Sequence, residues 1–129
     1  HSAVHYPGDY GFLPRTLGED GDPLDVLVLM KIPVFTGCLV EARPIGLFHL
    51  VDSGVADEKV LAVPMGDPYS DGLNDLGDIP QHYLKEIEHF FRVYKDLEGT
   101  HTETRGFEGA VAARAAITRA MASYEKQFK

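Results

Sequence analysis

Residues 19–25 read EDGDPLD, and the aliphatic run VLVLM follows directly at 26–30. A short run of Val, Leu and Met that is bounded by Gly, Pro and Asp is typical of a buried β-strand. The sequence therefore predicts an acidic loop that leads into a strand over 25–30. Four carboxylates within seven residues repel one another. Some favourable interaction must therefore compensate for this repulsion at the start of the buried strand.

The aspartates inside this loop are predicted to point the same way. Pro23 disfavours the α conformation for Asp22, and in an extended chain side chains two residues apart share a face. Asp20 and Asp22 would then have α-carbons about 6–7 Å apart. Such carboxylates suit hard divalent cations, which prefer oxygen ligands. A solvated acidic loop is the alternative, whereas a calcium loop counted from Asp20 fails because Leu24 and Asp25 occupy its fifth and sixth positions.

The length and net charge of the chain favour a single domain and argue against several classes of binding partner. The chain has 129 residues, which suits a single domain over 1–129 with one core. Its 20 acidic and 12 basic side chains leave a formal charge of −8, which argues against a nucleic-acid partner or an anionic membrane surface. The longest aliphatic run is far shorter than the roughly 20 residues of a membrane-spanning helix.

The first residues of the sequence and Cys38 indicate in which cellular compartment the protein is expected. No basic segment followed by an apolar one opens the sequence, so no secretory signal is visible and a cytoplasmic protein is expected. Cys38 is the only cysteine, which excludes an intrachain disulfide and fits a reducing compartment. We interpret it as a free thiol in a core strand, without a catalytic role.

The first two thirds of the chain are predicted to be β structure and the last third helix, with no linker between them. Short runs rich in Val, Ile, Leu and Phe predict strands at 25–30, 39–42, 45–51 and 59–63. The segment 65–80 contains four Asp, three Gly and two Pro, which predicts a long solvated surface loop.

Two amphipathic helices are predicted after this loop. Pro80 suits the first position of one helix, and Gly99 provides its stop. The second begins near Glu108. Its apolar face is predicted to contain Ala110, Ala113, Ile117, Met121, Tyr124 and Phe128.

Two further polar clusters follow the acidic loop. The segment LVDSGVADEK at 50–59 places Asp52 and Asp57 on either side of a four-residue connection, with Lys59 two residues on. In a hairpin the two carboxylates would be near cross-strand neighbours, an unfavourable pair unless a cation lies between them. An ordinary polar β-turn is the alternative. At the end of the first helix, YKD at 94–96 offers a hydroxyl and an ammonium, although a lysine there is ordinarily a macrodipole contact.

The three clusters together resemble the family I soluble inorganic pyrophosphatases. The resemblance rests on YPGDYGFLPRTLGEDGDPLDVLV at 6–28, in which DGDPLD matches the family's Asp-x-Asp-Pro-x-Asp signature. It continues through RPIG at 43–46, DSGVADEK at 52–59, FFRVYKDLE at 90–98 and the alanine-rich final helix. It implies an α+β, mainly β fold, a small closed OB-like β-barrel flanked by two helices, which agrees with the strand-then-helix order.

The resemblance also implies the reaction and the site. It implies an inorganic diphosphatase that hydrolyses pyrophosphate to two orthophosphates by direct attack of a metal-activated water, with several Mg²⁺ ions per site. Asp22 would be the general base or its close partner. The implied metal ligands are Asp20, Asp25, Asp52 and Asp57. The implied contacts with the phosphates are Tyr6, Lys59, Tyr94 and Lys95, and Tyr10 would support the carboxylates.

Charge explains why such a site is acidic. One unit charge of pyrophosphate repels a carboxylate 5 Å away by about 3 kcal/mol at an effective dielectric constant of 20. Lys59 and Lys95 alone would not offset five aspartates, so the site requires several divalent ions between the carboxylates and the substrate. The acidic cluster would concentrate metal, and the metal would accept pyrophosphate.

Some expectations stay open at this point. A non-enzymatic divalent-metal-binding module and an inactive fragment of the same fold are the alternatives to an enzyme. The resemblance implies a further amino-terminal stretch before His1, so the domain is expected to be incomplete there. It also implies a homo-oligomer, with the hexamer as the bacterial type. His89 would lie either at such an interface or on an ordinary surface.

Overall fold

The computed structural model describes residues 8–30 and 35–128, so Tyr6 lies outside the described residues. The strands are β1 Asp9–Phe12, β2 Asp25–Val28, β3 Ala42–Asp52, β4 Val55–Ala56, β5 Lys59–Pro64 and β6 Thr102–Gly109. The helices are α1 Gln81–Leu97 and α2 Ala110–Phe128, and single 3₁₀ turns lie at Pro68–Ser70 and Leu76–Asp78. The prediction of a mainly β protein with two late helices is confirmed. Neither described helix combines the length and apolar character needed to cross a membrane.

The six strands form one mixed sheet in the order β1-β2-β5-β3-β4, and β6 also pairs with β3. β2 and β5 are parallel, and the other pairs are antiparallel. Among residues 8–30 and 35–128, no ladder of hydrogen bonds joins β1 to β6, so backbone pairing does not close the sheet into a barrel. Closure would require a further pairing on the free side of β1.

Both faces of the central sheet are covered. On β5, Leu61 and Val63 point towards α1, whereas Val60 and Ala62 point towards α2. This explains why β5 is a continuous apolar run rather than an alternating one. Lys59 has the same parity as Leu61, so its side chain enters the layer beneath α1.

The buried face of α2 differs from the predicted one. Met121 and Phe128 are 52% and 61% exposed, so the prediction that they belong to the packed face is wrong. The buried residues of this helix are Ala110, Ala113, Ala116 and Ala120. Alanine at these positions lets the helix lie close against the sheet, and the larger apolar side chains are left outside the contact.

The predicted strands at 39–42 and 45–51 are one strand, β3, which begins at Ala42. Pro44 suggested a break, but the strand continues through it by means of a register shift between Pro44 and Gly46. Proline is tolerated at such bulges because its missing N–H falls outside the ladder. Cys38 is half-buried in the loop before β3, so its assignment to a core strand is wrong, although it is a free thiol as predicted.

β1 and β6 were not predicted from the sequence. β1 is only four residues long, and β6 reads TETRGFEG, with more charged and polar residues than apolar ones. β6 is nevertheless a long partner of β3, with pairs running from Gly46–Gly109 to Asp52–Thr102. Pairing with a central strand, which the local sequence does not reveal, places this segment in the sheet.

The segment 65–80 is more structured than a solvated loop. Arg43 donates hydrogen bonds to the carbonyls of Ser70 and Leu73, both at 2.6 Å. Asp75 caps two elements at once, since its Oδ1 accepts from the Leu76 N–H and from the Ala110 N–H at the start of α2, both at 2.8 Å. These hydrogen bonds lower the pKa of the Asp75 carboxyl below its ordinary value.

We predict that Asp75→Ala lowers the free energy of unfolding, because it removes the cap of α2. A depressed folded-state pKa contributes stability above the unfolded pKa, and this contribution is lost as the pH falls through the folded pKa. The difference between the variant and the parent chain should therefore be present at pH 7 and shrink below about pH 4. Urea titrations at several pH values measure this difference in the free energy of unfolding. Asp71→Ala, which removes an exposed carboxylate of the same segment, is the control. A pH-independent difference would contradict the role of the charge.

Candidate active site

The buried ammonium of Lys59 is the centre of the site. Lys59 is 2% exposed, yet it begins a strand whose other residues are apolar. Its Nζ donates to Asp25 Oδ2 at 2.7 Å, to Asp57 Oδ1 at 3.0 Å and to the Tyr10 hydroxyl at 2.8 Å. Burial opposes the charged form, but the charges of Asp57 and Asp25 outweigh it and raise the pKa of Lys59. The ammonium therefore joins β1, β2 and β5 at one point.

Aromatic rings surround the same ammonium. Lys59 Nζ lies 5.4 Å from the centroid of Tyr10 and 5.5 Å from that of Phe91 on α1. Tyr10 and Phe91 also contact one another, with ring centroids 5.7 Å apart. Tyr10 was predicted to support the carboxylates by hydrogen bonding. In the structure its hydroxyl accepts a hydrogen bond from Lys59, the lysine that binds Asp25 and Asp57.

A second ammonium lies between Asp52 and Asp57. Lys95, in the last turn of α1, donates to Asp52 Oδ2 at 3.1 Å and lies 3.7 Å from Asp57 Oδ2. Partial burial opposes its charge, but the hydrogen bond that Lys95 donates to Asp52 and the charges of the neighbouring carboxylates raise the pKa of Lys95. In the same way, burial raises the pKa of Asp52 but Lys95 outweighs this and lowers it overall. Lys95 is thus more than a macrodipole contact.

The hairpin that carries these aspartates has a shorter turn than expected. Asp52 pairs with Val55 across a two-residue turn, and both turn residues have positive φ, 52° at Ser53 and 83° at Gly54. Asp52 and Asp57 are therefore not paired directly across the hairpin, but they are near neighbours with a cation between them, as predicted. The Asp57 N–H instead bonds to the Leu50 carbonyl at 2.8 Å, and Lys95 brings the two carboxylates together.

The acidic loop is a tight turn rather than an extended segment. The Gly18 N–H donates to the Asp22 carbonyl at 2.8 Å, and Gly21 has a φ of +88°, which reverses the chain between the two aspartates. Asp20 Oδ1 accepts from the Asp22 N–H at 3.1 Å. The predicted common face of Asp20 and Asp22 on an extended chain is therefore wrong, because glycine makes the left-handed conformation accessible.

Asp20 is crowded by like charges. Partial burial, together with the charges of Asp57, Asp22 and Asp25, raises the pKa of the Asp20 carboxyl above its ordinary value. Among the described residues Asp20 forms no salt bridge, in contrast to the carboxylates that Lys59 and Lys95 bind. A cation at this position would relieve the repulsion.

The acidic loop and the hairpin enclose an open cavity of about 290 Å³. Its lining residues are Glu19, Asp20, Asp52, Ser53, Val55, Asp57 and Thr100. A smaller space beside it is lined by Asp20, Asp25 and Asp57, among others. Glu19, Ser53 and Thr100 had no role in the sequence-based site. Glu19 stood within the acidic stretch and could have been included, whereas only the fold brings Thr100 to the cavity.

Two predicted residues lie to the side of the cavity. Asp22 is exposed and lines neither space, since the turn at Gly21 directs this part of the chain outwards. Tyr94 packs against the core beneath α1, with its ring 5.7 Å from that of Phe90. Tyr6 lies outside the described residues. His89 lies on the exposed side of α1, so its place at an interface stays a prediction.

The carboxylates offer hard oxygen donors, which suit Mg²⁺ and similar ions. No group of three or more Asp, Glu, His or Cys side chains stands ready to hold an ion among residues 8–30 and 35–128. Asp25, Asp52 and Asp57 are instead hydrogen-bonded to lysine ammonium groups. The donor chemistry and the crowded Asp20 fit a divalent ion, and its binding would require Asp20 to act with carboxylates that turn partly away from the lysines.

Fold and site together define a small, mainly β protein with clustered carboxylates around a polar cavity and two lysines bound to them, of which Lys59 is buried and Lys95 partly buried. The model of the inorganic pyrophosphatase family matches residues 1–125 of the sequence. The chain belongs to the inorganic pyrophosphatase family. Members of this family are generally metal-dependent.

Individual relatives support this membership. An inorganic pyrophosphatase of Haloferax volcanii is 53% identical over 129 residues, which cover 99% of this chain and 73% of that protein. An inorganic pyrophosphatase of Geobacillus stearothermophilus is 47% identical over 127 residues, which cover 98% of this chain and 77% of that protein. The solved inorganic pyrophosphatase of Helicobacter pylori superposes with a TM-score of 0.92 at 39% identity, covering 97% of this chain and 75% of that one. The solved inorganic pyrophosphatase of Thermus thermophilus superposes with a TM-score of 0.91 at 42% identity, and the match covers 96% of this chain and 73% of that one.

We predict that Lys59→Met destabilises the protein by about 3 kcal/mol, because it leaves Asp25 and Asp57 as poorly compensated, partly buried charges. Chemical denaturation at neutral pH measures the change. Lys85→Met on the exposed side of α1 is the matched control and should stay within about 0.5 kcal/mol of the parent chain. Equal stability of the two variants would contradict a structural role for the buried ammonium.

Proposed function

We propose that this protein hydrolyses inorganic pyrophosphate to two orthophosphates in the cavity between the acidic loop and the β3–β4 hairpin, in a magnesium-dependent reaction. The observation that carries the proposal is a chain of carboxylates and ammonium groups behind the cavity, whose lining includes Asp52 and Asp57. Asp52, Lys95 and Asp57 are linked in this order, and Lys59 links Asp57 to Asp25. Family membership supports the same reaction.

The balance of charge favours a polyanionic substrate that arrives with cations. The carboxylates of the site outnumber its lysines, so a bare polyanion would be repelled. Bound divalent ions would neutralise this charge and lower the pKa of a water molecule. We assign their binding to Asp20, Asp25, Asp52 and Asp57, of which Asp20 is the best placed because it has no ammonium partner among the described residues.

The lysines and tyrosines would act on the phosphates. Lys95 is 14% exposed at its side chain, so it can exchange a carboxylate for a phosphate oxygen without leaving α1. Lys59 is deeper and serves to hold Asp25 and Asp57, with the phosphates within reach only across those carboxylates. Tyr94 and Tyr6 keep their proposed roles as phosphate contacts. A fixed positive charge near the leaving phosphate stabilises the negative charge that develops there.

Asp22 is the proposed general base. Its exposed carboxylate is free of the lysines that hold the other aspartates, so it stays available to accept a proton. Asp22 is close in sequence to a residue of the cavity, because Asp20 lines the cavity and accepts a hydrogen bond from the Asp22 N–H.

We also propose that the protein is cytoplasmic and forms a homo-oligomer, with the hexamer as the expected state. The lone cysteine and the absence of a disulfide among the described residues are compatible with a reducing compartment. Light scattering coupled to size-exclusion chromatography measures the oligomeric state directly.

The proposed function predicts that phosphate release from pyrophosphate requires Mg²⁺ and falls by about 100-fold or more in Asp22→Asn, since general bases contribute this much to turnover. The loss should appear in kcat, because the amide keeps the shape of the side chain but accepts no proton. Asp71→Asn, an exposed carboxylate of the 65–80 segment, is the matched control. The relative from Geobacillus stearothermophilus serves as a positive control for the assay.

Two outcomes would contradict this assignment. Full turnover by Asp22→Asn would remove Asp22 as the base while leaving the reaction intact. If the parent chain released no phosphate under conditions in which the relative does, the proposed enzymatic function would fail for this chain.

A non-enzymatic metal-binding module is the second candidate, because the carboxylates alone could bind ions. The two functions differ in their response to methylenediphosphonate, a pyrophosphate analogue that is not hydrolysed. We expect Mg²⁺ and the analogue together to raise the melting temperature more than Mg²⁺ alone, since a second ligand adds its own binding free energy. Stabilisation by Ca²⁺ or Mg²⁺ with no response to the analogue would favour the binding module.

A further inference from the structure

Thr16 is a buried polar side chain beside the acidic loop that neither the cavity nor the core explains. It is 4% exposed and precedes the segment 17–23, which contains Glu19, Asp20 and Asp22. Its Oγ1 donates to the Leu13 carbonyl at 2.6 Å and accepts from the Leu24 N–H at 2.9 Å. One hydroxyl therefore bonds the backbone on both sides of the loop.

These bonds continue the ladder between β1 and β2. Phe12 pairs with Asp25 at the end of the ladder, and the Leu13 N–H then bonds to the Leu24 carbonyl at 2.9 Å. In the other half of this pair the Thr16 hydroxyl lies between the Leu24 N–H and the Leu13 carbonyl and bonds to both. Without it, the buried Leu24 N–H would lose its acceptor immediately before Asp25.

The rest of the loop is tied down by few other contacts. The Leu17 N–H donates to the Ala120 carbonyl of α2 at 3.0 Å. Within the turn, the Gly18 N–H donates to the Asp22 carbonyl at 2.8 Å. Arg15, just before Thr16, holds a φ of +58°, which a side chain other than glycine adopts only where the surroundings require it. The side chain that follows this residue, that of Thr16, is buried.

The loop holds its carboxylates against their own repulsion. Asp20, Asp25 and Asp57 all line the smaller space beside the cavity, so carboxylates of the loop and of the neighbouring segments lie close together. Like charges repel, so a loop that carries them keeps its position only where its backbone is held. The Thr16 hydroxyl joins the two ends of the loop at Leu13 and Leu24, next to the backbone bond between the same two residues.

We propose that Thr16 is the positioning residue of the acidic loop, and that its hydroxyl sets the affinity of the cavity for divalent ions by holding Asp20 opposite Asp25 and Asp57. This inference rests on the proposed function, because it concerns the ions of the same site. Thr16 lines neither the cavity nor the smaller space beside it. It acts through the backbone that carries the ligands, as outer-shell partners of metal sites do.

The test compares Thr16→Val, which keeps the shape and removes the hydroxyl, with Thr16→Ser, which keeps the hydroxyl. Thr118→Val is the matched control, since the Thr118 hydroxyl bonds only within α2, to the Arg114 carbonyl at 3.0 Å. Mn²⁺ binding is measured by isothermal titration calorimetry, together with the Mg²⁺ concentration for half-maximal phosphate release. All measurements are made well below the melting temperature of each variant.

We expect Thr16→Val to weaken Mn²⁺ binding by about tenfold, the lower end of the range for outer-shell partners. The Mg²⁺ requirement should rise in parallel, while kcat at saturating Mg²⁺ changes less. Thr16→Ser should restore the affinity, and Thr118→Val should leave it unchanged. A purely structural threonine would lower the melting temperature without moving the metal affinity of the folded protein.

Mn²⁺ affinity within twofold of the parent chain in folded Thr16→Val overturns the proposal, as does a parent chain that binds no Mn²⁺. If Thr16→Val does not fold, Thr16→Cys replaces it, because a thiol is a weaker donor and acceptor of similar size. Unchanged affinity in that variant also overturns the proposal. A parent chain that binds Mn²⁺ but releases no phosphate contradicts only the proposed function, since the calorimetric comparison still decides the role of Thr16.

Discussion

The buried ammonium of Lys59 is the interaction on which the rest of this structure depends. A charged group in a protein interior costs several kcal/mol in lost hydration unless partners compensate for it. Here Asp25, Asp57 and the Tyr10 hydroxyl all lie within 3.0 Å of the nitrogen. These partners come from different parts of the chain, so the hydrogen-bonded network around the ammonium requires β1, β2 and β5 to be in register. The core and the site therefore depend on the same strand pairing.

The same interaction explains how the core and the cavity share the layer beneath α1. Leu61 and Val63 continue the face of β5 on which Lys59 lies, and Phe91 of α1 covers both the aliphatic residues and the ammonium. The apolar core thus ends directly in a charged network. Lys95 extends this network from the end of α1 to the β3–β4 hairpin. A rigid core on one side keeps the carboxylates in place on the other, which suits a site that must hold charges close together.

Local patterns predicted some elements well and others poorly. β2 and β5 were recognisable because they are short apolar runs between turn residues, and α1 because its apolar residues recur with helical spacing. β6 was missed because its residues are mostly polar and it owes its conformation to pairing with β3. The face of α2 was misassigned because large apolar residues were expected inside, whereas the close approach of the helix to the sheet admits only alanine. In each failure, a contact with a distant segment outweighed the local pattern.

The sequence indicated which chemical groups the site contains, because the acidic signature, the Asp57–Lys59 pair and Lys95 together carry the family resemblance. The tertiary structure decided how they are arranged. Lys59 and Tyr10 are 49 residues apart in the chain, and Lys95 and Asp52 are 43 apart, so no local rule predicts that they are bonded. The turn at Gly21, the short hairpin and the Thr16 hydroxyl likewise set the positions of the carboxylates. Spacing along a chain constrains side chains only over a few residues, whereas packing and burial fix distances between segments that are far apart in sequence.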